Sequence, residues 1–239
     1  MQREVLLRKA FAELLGTMLL VATVVGSGIA ASRLSPDDVG LQLLENALVT
    51  GAVLVALILA LGPVSAAFNP VVTLVERAFG AITTPVAALL IAAQVIGGCL
   101  GSVLANLMFE LDAVDLSSTE RSAGSLWLAE VVATLGLVVV VFGVVRSGRS
   151  THVAYAVGAY ITAAYWFTSS TSFANPAVTI GRTLSDTFAG IAPSSVAMFV
   201  LMQLVGGALA YGVVRLLYPH AAELAADLTR LSEPEGASR

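Results

Sequence analysis

The sequence predicts an all-α integral membrane protein with six transmembrane helices and two shorter re-entrant half-helices, arranged as an inverted repeat. Composition is the first reason: 57% of the 239 residues are hydrophobic and 12% are charged, against about 25% charged in an ordinary soluble domain. The second is that charged residues leave six uncharged windows, at 14–32, 46–75, 78–109, 131–145, 153–181 and 187–214. Several windows exceed the roughly 20 residues that one spanning helix needs, which leaves room for re-entrant segments.

The third reason is a motif that occurs twice, as Asn69-Pro70-Val71 and as Asn175-Pro176-Ala177. Asn is a preferred N-cap and Pro fits the first helical position, so each motif predicts a helix start. Each helix would run about 11 residues, or roughly 16 Å, which is about half of a ~30 Å hydrocarbon core. Two such half-helices entering from opposite faces would meet N-terminus to N-terminus, with Asn69 and Asn175 facing each other at the midplane.

The apolar windows and the turn residues between them place each element along the chain. The predicted spanning helices cover 9–32, 41–61, 84–108, 125–145, 153–167 and 194–218. The half-helices are predicted at 69–79 and 175–186. The chain is expected to form a single membrane domain over 1–239, with a first repeat at 9–108, a second at 125–218 and a charged C-terminal tail at 219–239.

Composition also excludes several classes of function. The net charge of −4 and the lack of a basic run indicate no nucleic-acid partner. Cys99 is the only cysteine, which excludes an internal disulfide and most metal motifs. With no cluster of His and no paired carboxylates on a helix face, the sequence predicts no metal site, no cofactor and no enzymatic activity.

The basic residues predict the orientation, because the cytoplasmic ends of membrane helices are enriched in Lys and Arg. With six spans and both termini inside, the inner side holds nine of the 12 basic residues, namely Arg3, Arg8, Lys9, Arg77, Arg146, Arg149, Arg215, Arg230 and Arg239. The outer side holds only Arg33, Arg121 and Arg182. We therefore expect a multi-pass protein of the cell (inner or plasma) membrane with cytoplasmic termini.

The two halves of the chain repeat three motifs in the same order. The segment 12–17 matches 129–134, the two Asn-Pro motifs match each other, and 93–98 matches 202–207. Each half holds three spans, an odd number, so the second half must insert upside down relative to the first. This is the inverted-repeat plan of many channels and transporters.

Paired Asn-Pro motifs, a Glu early in the first and fourth helices and a Gln in the third and sixth make the chain resemble the aquaporin (major intrinsic protein) family over about residues 8–218. The resemblance implies a right-handed six-helix bundle that forms a single channel domain, usually assembled as a homotetramer. It implies passive passage of water and small neutral solutes, such as glycerol-like polyols, across the lipid bilayer.

The resemblance also suggests roles for the polar residues within the apolar helices. Asn69 and Asn175 can donate hydrogen bonds to a dehydrated solute at the midplane, where the N-terminal ends of the half-helices disfavour cations. Glu13 and Glu130 are costly to bury. Either they relay protons or, as the resemblance favours, they accept N–H groups of the loop before each half-helix. The resemblance gives Gln94 and Gln203 similar scaffold roles.

Four side chains usually set the narrowest region in this family, one of them an Arg directly after the second Asn-Pro-Ala. Carried over by spacing, these positions hold Val49, Ala163, Ser172 and Val178. They predict a wide, weakly polar and uncharged selectivity filter that passes neutral solutes larger than water. Loss of the Arg also resembles a bacterial branch associated with arsenic resistance, which implies arsenite, as neutral As(OH)3, as a further solute.

Arg182, one helical turn beyond Val178, has two open roles. It reaches the pore mouth and partly replaces the missing Arg, or it caps loop carbonyls or pairs with Asp186 four residues on. Three alternatives to a solute channel also stay open: a strict water channel, an inverted-repeat secondary transporter, and a scaffold whose pore is closed by Phe68, Phe173 or Phe167.

Overall fold

A computed structural model describes residues 2–219, and every regular element in that range is helical. The helices are α1 (Gln2–Leu34), α2 (Val39–Leu61), α3 (Pro70–Ala78), α4 (Thr84–Met108), α5 (Gly124–Arg146), α6 (Val153–Phe167), α7 (Pro176–Gly181) and α8 (Pro193–Leu217). Short 3-10 turns cover Ser150–His152 and Arg182–Leu184. The predicted charged tail lies outside the described residues, apart from its first residue.

Five of these helices, α1, α2, α4, α5 and α8, are long and apolar enough to cross a membrane. The predicted fifth span, α6, has the expected boundaries but only 15 residues. At 1.5 Å per residue it is about 22 Å long, shorter than a ~30 Å hydrocarbon core. It packs against α2 and α5 and leads directly into the loop before the second half-helix.

The helices pack as two matched sets. In the first repeat α1 packs along α4, and in the second α5 packs along α8. Each half-helix contacts the last helix of both repeats: α3 touches α4 and α8, and α7 touches α8 and α4. Because each half-helix contacts helices of both repeats, the two Asn-Pro motifs lie together between the repeats.

Matched glycines allow the long helices to approach closely. A Cβ added at Gly206 of α8 would lie 2.6 Å from the backbone carbonyl oxygen of Val131 in α5. A Cβ added at Gly97 of α4 would likewise collide with the backbone carbonyl oxygen of Leu14 in α1. Such small-residue contacts are the usual way in which membrane helices gain packing energy without a hydrophobic driving force.

Both half-helices begin as the sequence predicts. Asn69 and Asn175 have extended backbone conformations and serve as N-caps, each followed by Pro at the first helical position. The second half-helix is shorter than predicted, because α7 ends at Gly181, whose carbonyl accepts a 2.7 Å hydrogen bond from the Ser102 hydroxyl of α4. The chain then continues through the 3-10 turn that begins at Arg182.

Candidate transport pore

One continuous cavity of about 720 Å³ runs between the two repeats. Its wall includes Lys9 and Glu76 at the end nearer the N-terminus of α1, both Asn residues near the middle, and Arg182 at the other end. The cavity therefore passes the point where the two half-helices meet.

The two Asn side chains connect the half-helices to each other. The Asn69 amide donates to the Ala174 carbonyl, and the Asn175 amide donates to the Phe68 carbonyl, each over 2.7 Å. Their carbonyl oxygens accept from Val71 N–H and from Ala177 N–H, which caps each half-helix. A primary amide has two N–H groups, so one remains on each side chain.

Because both Asn side chains line the cavity, these remaining N–H groups are the donors that a solute can reach. Capping and solute donation are therefore compatible within a single amide. The geometry accommodates both roles that the sequence left for each Asn.

The residues before the two Asn residues have matching unusual conformations. Phe68 and Ala174 both have φ of 48°, in the left-handed region. For residues other than Gly this costs about 1–3 kcal/mol each. The conformation directs each carbonyl to the amide of the opposite repeat, so the strain is offset by the contact that joins the half-helices.

Glu13 and Glu130 accept hydrogen bonds from the backbone of these two strained loops. The Glu13 carboxylate accepts from the backbone N–H of Ala67 at 2.9 Å and of Phe68 at 2.7 Å. The Glu130 carboxylate accepts from Phe173 N–H at 3.0 Å and from Ala174 N–H at 2.9 Å. Neither Glu lines the cavity. These contacts anchor the loops. Because neither carboxylate reaches the cavity, the structure does not support a proton relay along the pore.

Gln94 and Gln203 extend each anchor to the adjoining half-helix. The Gln94 amide donates to Glu13 at 2.8 Å and to the Thr73 hydroxyl at 2.9 Å. The Gln203 amide makes the corresponding bonds to Glu130, at 2.6 Å, and to Thr179, at 2.9 Å. The same polar cluster is thus built twice, once per repeat.

Two of the four filter positions carried over by spacing are wrong. Val49 is 43% exposed and Ala163 is also exposed, and neither lines the cavity. Successive helical residues are about 100° apart, so an error of one or two positions moves a side chain to the outer face of the bundle.

Thr50 and Tyr165 occupy the pore wall instead. Both are 3% exposed and line the cavity, and their hydroxyl oxygens lie 3.2 Å apart. The sequence did carry a signal for Thr50, since Gln42, Asn46 and Thr50 recur every four residues in an otherwise apolar helix and all three are buried. A polar stripe of this kind marks the inward face of a membrane helix.

Ser172 and Val178, the other two filter positions, do line the cavity. Ser172 has φ of 52° and is 4% exposed. Its hydroxyl has no hydrogen-bond partner among the described residues. A buried hydroxyl without a partner is costly unless a water or a solute oxygen satisfies it.

Arg182 also lines the cavity, at 2% exposure. Its Nε donates to the Ala189 carbonyl, and its Cζ lies 3.5 Å from the ring centroid of Phe173. The predicted pairing with Asp186 is wrong, because the Asp186 carboxylate accepts from the Ser118 backbone N–H at 2.9 Å. Capping of a loop carbonyl is present, and the role at the pore mouth stays a prediction.

The aromatic side chains considered as plugs have other contacts. Phe167 is 56% exposed on the outside of the bundle. The Phe68 ring packs directly over Gly16 of α1. The Phe173 ring lies under Arg182 and packs edge-on against Phe199, with centroids 5.2 Å apart. Phe68 and Phe173 also line the cavity, which extends past Phe68 to the end lined by Phe173 and Arg182.

Comparison with known proteins matches this geometry to a family. The family model described as MIP, Major intrinsic protein, matches residues 1–163. The chain is 46% identical over 239 residues to Aquaglyceroporin AqpS of Rhizobium meliloti (strain 1021), covering 99% of this chain and 100% of that protein. It is 32% identical over 191 residues to Aquaporin NIP2-1 of Arabidopsis thaliana, covering 74% of this chain and 65% of that protein.

A solved structure shares the fold. The X-ray structure of the aquaglyceroporin from Plasmodium falciparum matches with a TM-score of 0.70 and 17% identity, over 90% of this chain and 98% of that one. The fold, the paired Asn-Pro motifs around a continuous cavity and the family match agree. The chain belongs to the major intrinsic protein family, and it is a passive multi-pass membrane channel, not an enzyme.

Proposed function

We propose that this channel conducts water and small neutral polyhydroxylated solutes of glycerol size. The observation that carries the proposal is the composition of the pore wall beside Val178. Thr50, Tyr165 and Ser172 are three hydroxyl-bearing residues of this wall, and the Thr50 and Tyr165 hydroxyl oxygens lie 3.2 Å apart. The position after the second Asn-Pro-Ala is an uncharged Val178. A polyol that leaves water can exchange its hydrogen bonds for those of the wall, while its carbon chain passes Val178.

The relatives favour the same class of solute. Both the 46% identical AqpS and the Plasmodium falciparum structure are named aquaglyceroporins. A wall lined by hydroxyl-bearing residues also suits neutral As(OH)3, which carries three hydroxyl groups as glycerol does. Arsenite is therefore the second candidate solute.

Stopped-flow swelling of proteoliposomes tests the proposal with water, glycerol, urea and arsenite, each applied to the parent and to Val178→Arg. The long cationic side chain should narrow the pore and reduce glycerol flux at least about tenfold, equal to about 1.4 kcal/mol in the barrier. Water flux should fall less. Val178→Leu, which adds bulk without charge, is the matched control and should reduce glycerol flux only partly.

Three outcomes would count against the proposal. A parent that passes water but excludes glycerol and urea is a strict water channel. Glycerol flux that saturates, or that depends on an ion gradient, indicates a transporter. Flux equal in Val178→Arg and the parent would remove Val178 from the constriction.

We also propose a homotetramer in the cell membrane with cytoplasmic termini. The outward faces of α1 and α2 carry exposed apolar side chains such as Phe11, Leu48 and Val49, which suit contact with lipid or with other copies. Native mass spectrometry of the detergent-extracted protein should give four copies. A reporter fused to either terminus should be active in the cytoplasm.

A further inference from the structure

Two arginines share one aromatic ring at the end of the cavity lined by Arg182. Arg182 Cζ lies 3.5 Å from the Phe173 centroid, and Arg121 Cζ lies 5.0 Å from it. Arg121 comes from the loop between α4 and α5, far from Arg182 in sequence. Cation–π contacts between desolvated guanidinium groups and aromatic rings are stabilising. Phe173 therefore holds cations from two different segments beside the pore.

Adjacent backbone carbonyls complete the support. Arg182 Nε donates to Ala189, and Arg121 Nε donates to Gly190 over 3.1 Å. A guanidinium has five N–H groups. Among residues 2–219, the remaining N–H groups of Arg182 make no hydrogen bond to the protein, and this side chain lines the cavity. They are available to the oxygen atoms of a passing solute.

The charge of these arginines is only partly compensated. No carboxylate of the described residues hydrogen-bonds to Arg182. Glu130 lies behind the same loop, but its oxygens are engaged by the N–H groups of Phe173 and Ala174. One anchored carboxylate faces two cations, so the local charge is positive. Burying an unpaired cation is costly. A role in excluding ions would account for the buried Arg182 guanidinium in the pore wall.

Position along the half-helix separates this charge from the constriction. Arg182 follows Val178 by four residues, which is about 6 Å along a helix. Val178 contributes an apolar, uncharged surface, and Arg182 contributes charge one turn further on.

Resting on the proposed function, we propose that Arg182 is the charge-selecting residue of this pore and that Phe173 is its positioning residue. Size is selected separately, beside Val178. Arg182 repels cations of the same size as the conducted solutes and donates hydrogen bonds to neutral ones.

Urea and guanidinium form a suitable probe pair, since they are planar, nearly equal in size and differ by one charge. Their fluxes are measured separately in proteoliposomes of the parent, Arg182→Gln and Arg182→Lys. In Arg182→Gln the guanidinium-to-urea flux ratio should rise about 100-fold, as expected for removing repulsion between unit charges roughly 6 Å apart at an effective dielectric constant of about 20. Arg182→Lys should keep the low ratio of the parent.

Arg33→Gln is the matched control. Arg33 also lies over an aromatic ring, 5.3 Å from the Phe109 centroid, and donates to the Phe109 carbonyl at 2.8 Å, but it does not line the cavity. Its substitution should leave the ratio as in the parent. Phe173→Leu keeps Arg182 but removes the ring, and it should give an intermediate ratio; this variant decides the question if Arg182→Gln does not insert.

The outcomes separate this proposal from the solute assignment. A parent that admits guanidinium as readily as urea, or an Arg182→Gln variant as restrictive as the parent, overturns the charge barrier and leaves glycerol conduction standing. If the parent passes no glycerol but Arg182→Gln conducts more guanidinium than the parent does, the charge barrier is supported and the solute assignment fails.

Discussion

Asn69 and Asn175 each donate a 2.7 Å hydrogen bond to the carbonyl of the residue that precedes the other. This reciprocal contact joins the two half-helices at their N-termini. Each half-helix therefore depends on the other for its position.

The first prediction concerns Asn175→Ala. It removes an N-cap, worth about 0.5–2 kcal/mol, and the link to Phe68, worth about 0.5–1.5 kcal/mol. We expect the free energy of unfolding in detergent to fall by the sum of the two. Asn175→Ser retains a capping oxygen without adding a charge and lacks the amide N–H groups, so the difference between the two variants estimates the contribution of the link. Asn69→Ala should have a similar effect, and a much smaller one would contradict the symmetry.

The second prediction concerns Glu13→Gln. A neutral amide cannot accept charge-assisted hydrogen bonds from the loop N–H groups, each worth about 1.5–3 kcal/mol. We expect a large loss of thermal stability and a parallel loss of flux at every pH. Glu110→Gln, at an exposed loop residue, is the control. A stable variant whose flux alone becomes independent of pH would instead support a proton relay.

Thr50→Val and Tyr165→Phe form the third prediction. Each removes one hydroxyl of the pair that lies 3.2 Å apart. Glycerol flux should fall about five- to tenfold in each variant, as expected for losing roughly 1 kcal/mol of hydrogen bonding. The double variant should be less than additive, since the two groups contact each other. Val49→Thr and Ala163→Ser, on the outer face, should not alter flux; if they do and the first pair does not, the filter assignment by spacing was correct.

The fourth prediction concerns helix packing. In Gly206→Ala the new Cβ would lie 2.6 Å from the Val131 carbonyl oxygen, so α5 and α8 must separate. We expect a loss of about 1–3 kcal/mol in the free energy of unfolding. Gly212→Ala is the matched control on the same helix, where a Cβ meets nothing within 4 Å. Equal effects of both substitutions would argue against close packing at Gly206.

The fifth prediction is a pH dependence outside the membrane. The Ser118 backbone N–H, as a hydrogen-bond donor, lowers the pKa of Asp186 below its ordinary value. A lowered folded-state pKa stabilises the loop above the ordinary pKa and ceases to do so as the pH falls through the lowered value. The protection factor of segment 115–119, which is its hydrogen exchange corrected for the intrinsic rate at each pH, should therefore fall at acid pH in the parent. Asp186→Asn should show similarly low protection at every pH, and a protection factor in the parent that does not change with pH would contradict this.

Much of the fold was predictable from local patterns. Apolar windows located the spanning helices because a membrane helix must be apolar over its length, and the Asn-Pro motifs located the half-helix starts because capping acts within three residues. The second half-helix was predicted too long: α7 ends at Gly181, where the carbonyl accepts a hydrogen bond from the Ser102 hydroxyl of α4. No local signal reports that contact.

The sequence by itself determined the helical membrane architecture, the duplicated Asn-Pro motifs and the polar residues Glu13 and Glu130 that support them. Only the tertiary structure decided that Thr50 and Tyr165, not Val49 and Ala163, form the wall, and that Arg182 lies against Phe173. The physical reason is rotation: residues in a helix are 100° apart, and the face turned to the pore depends on packing against neighbouring helices.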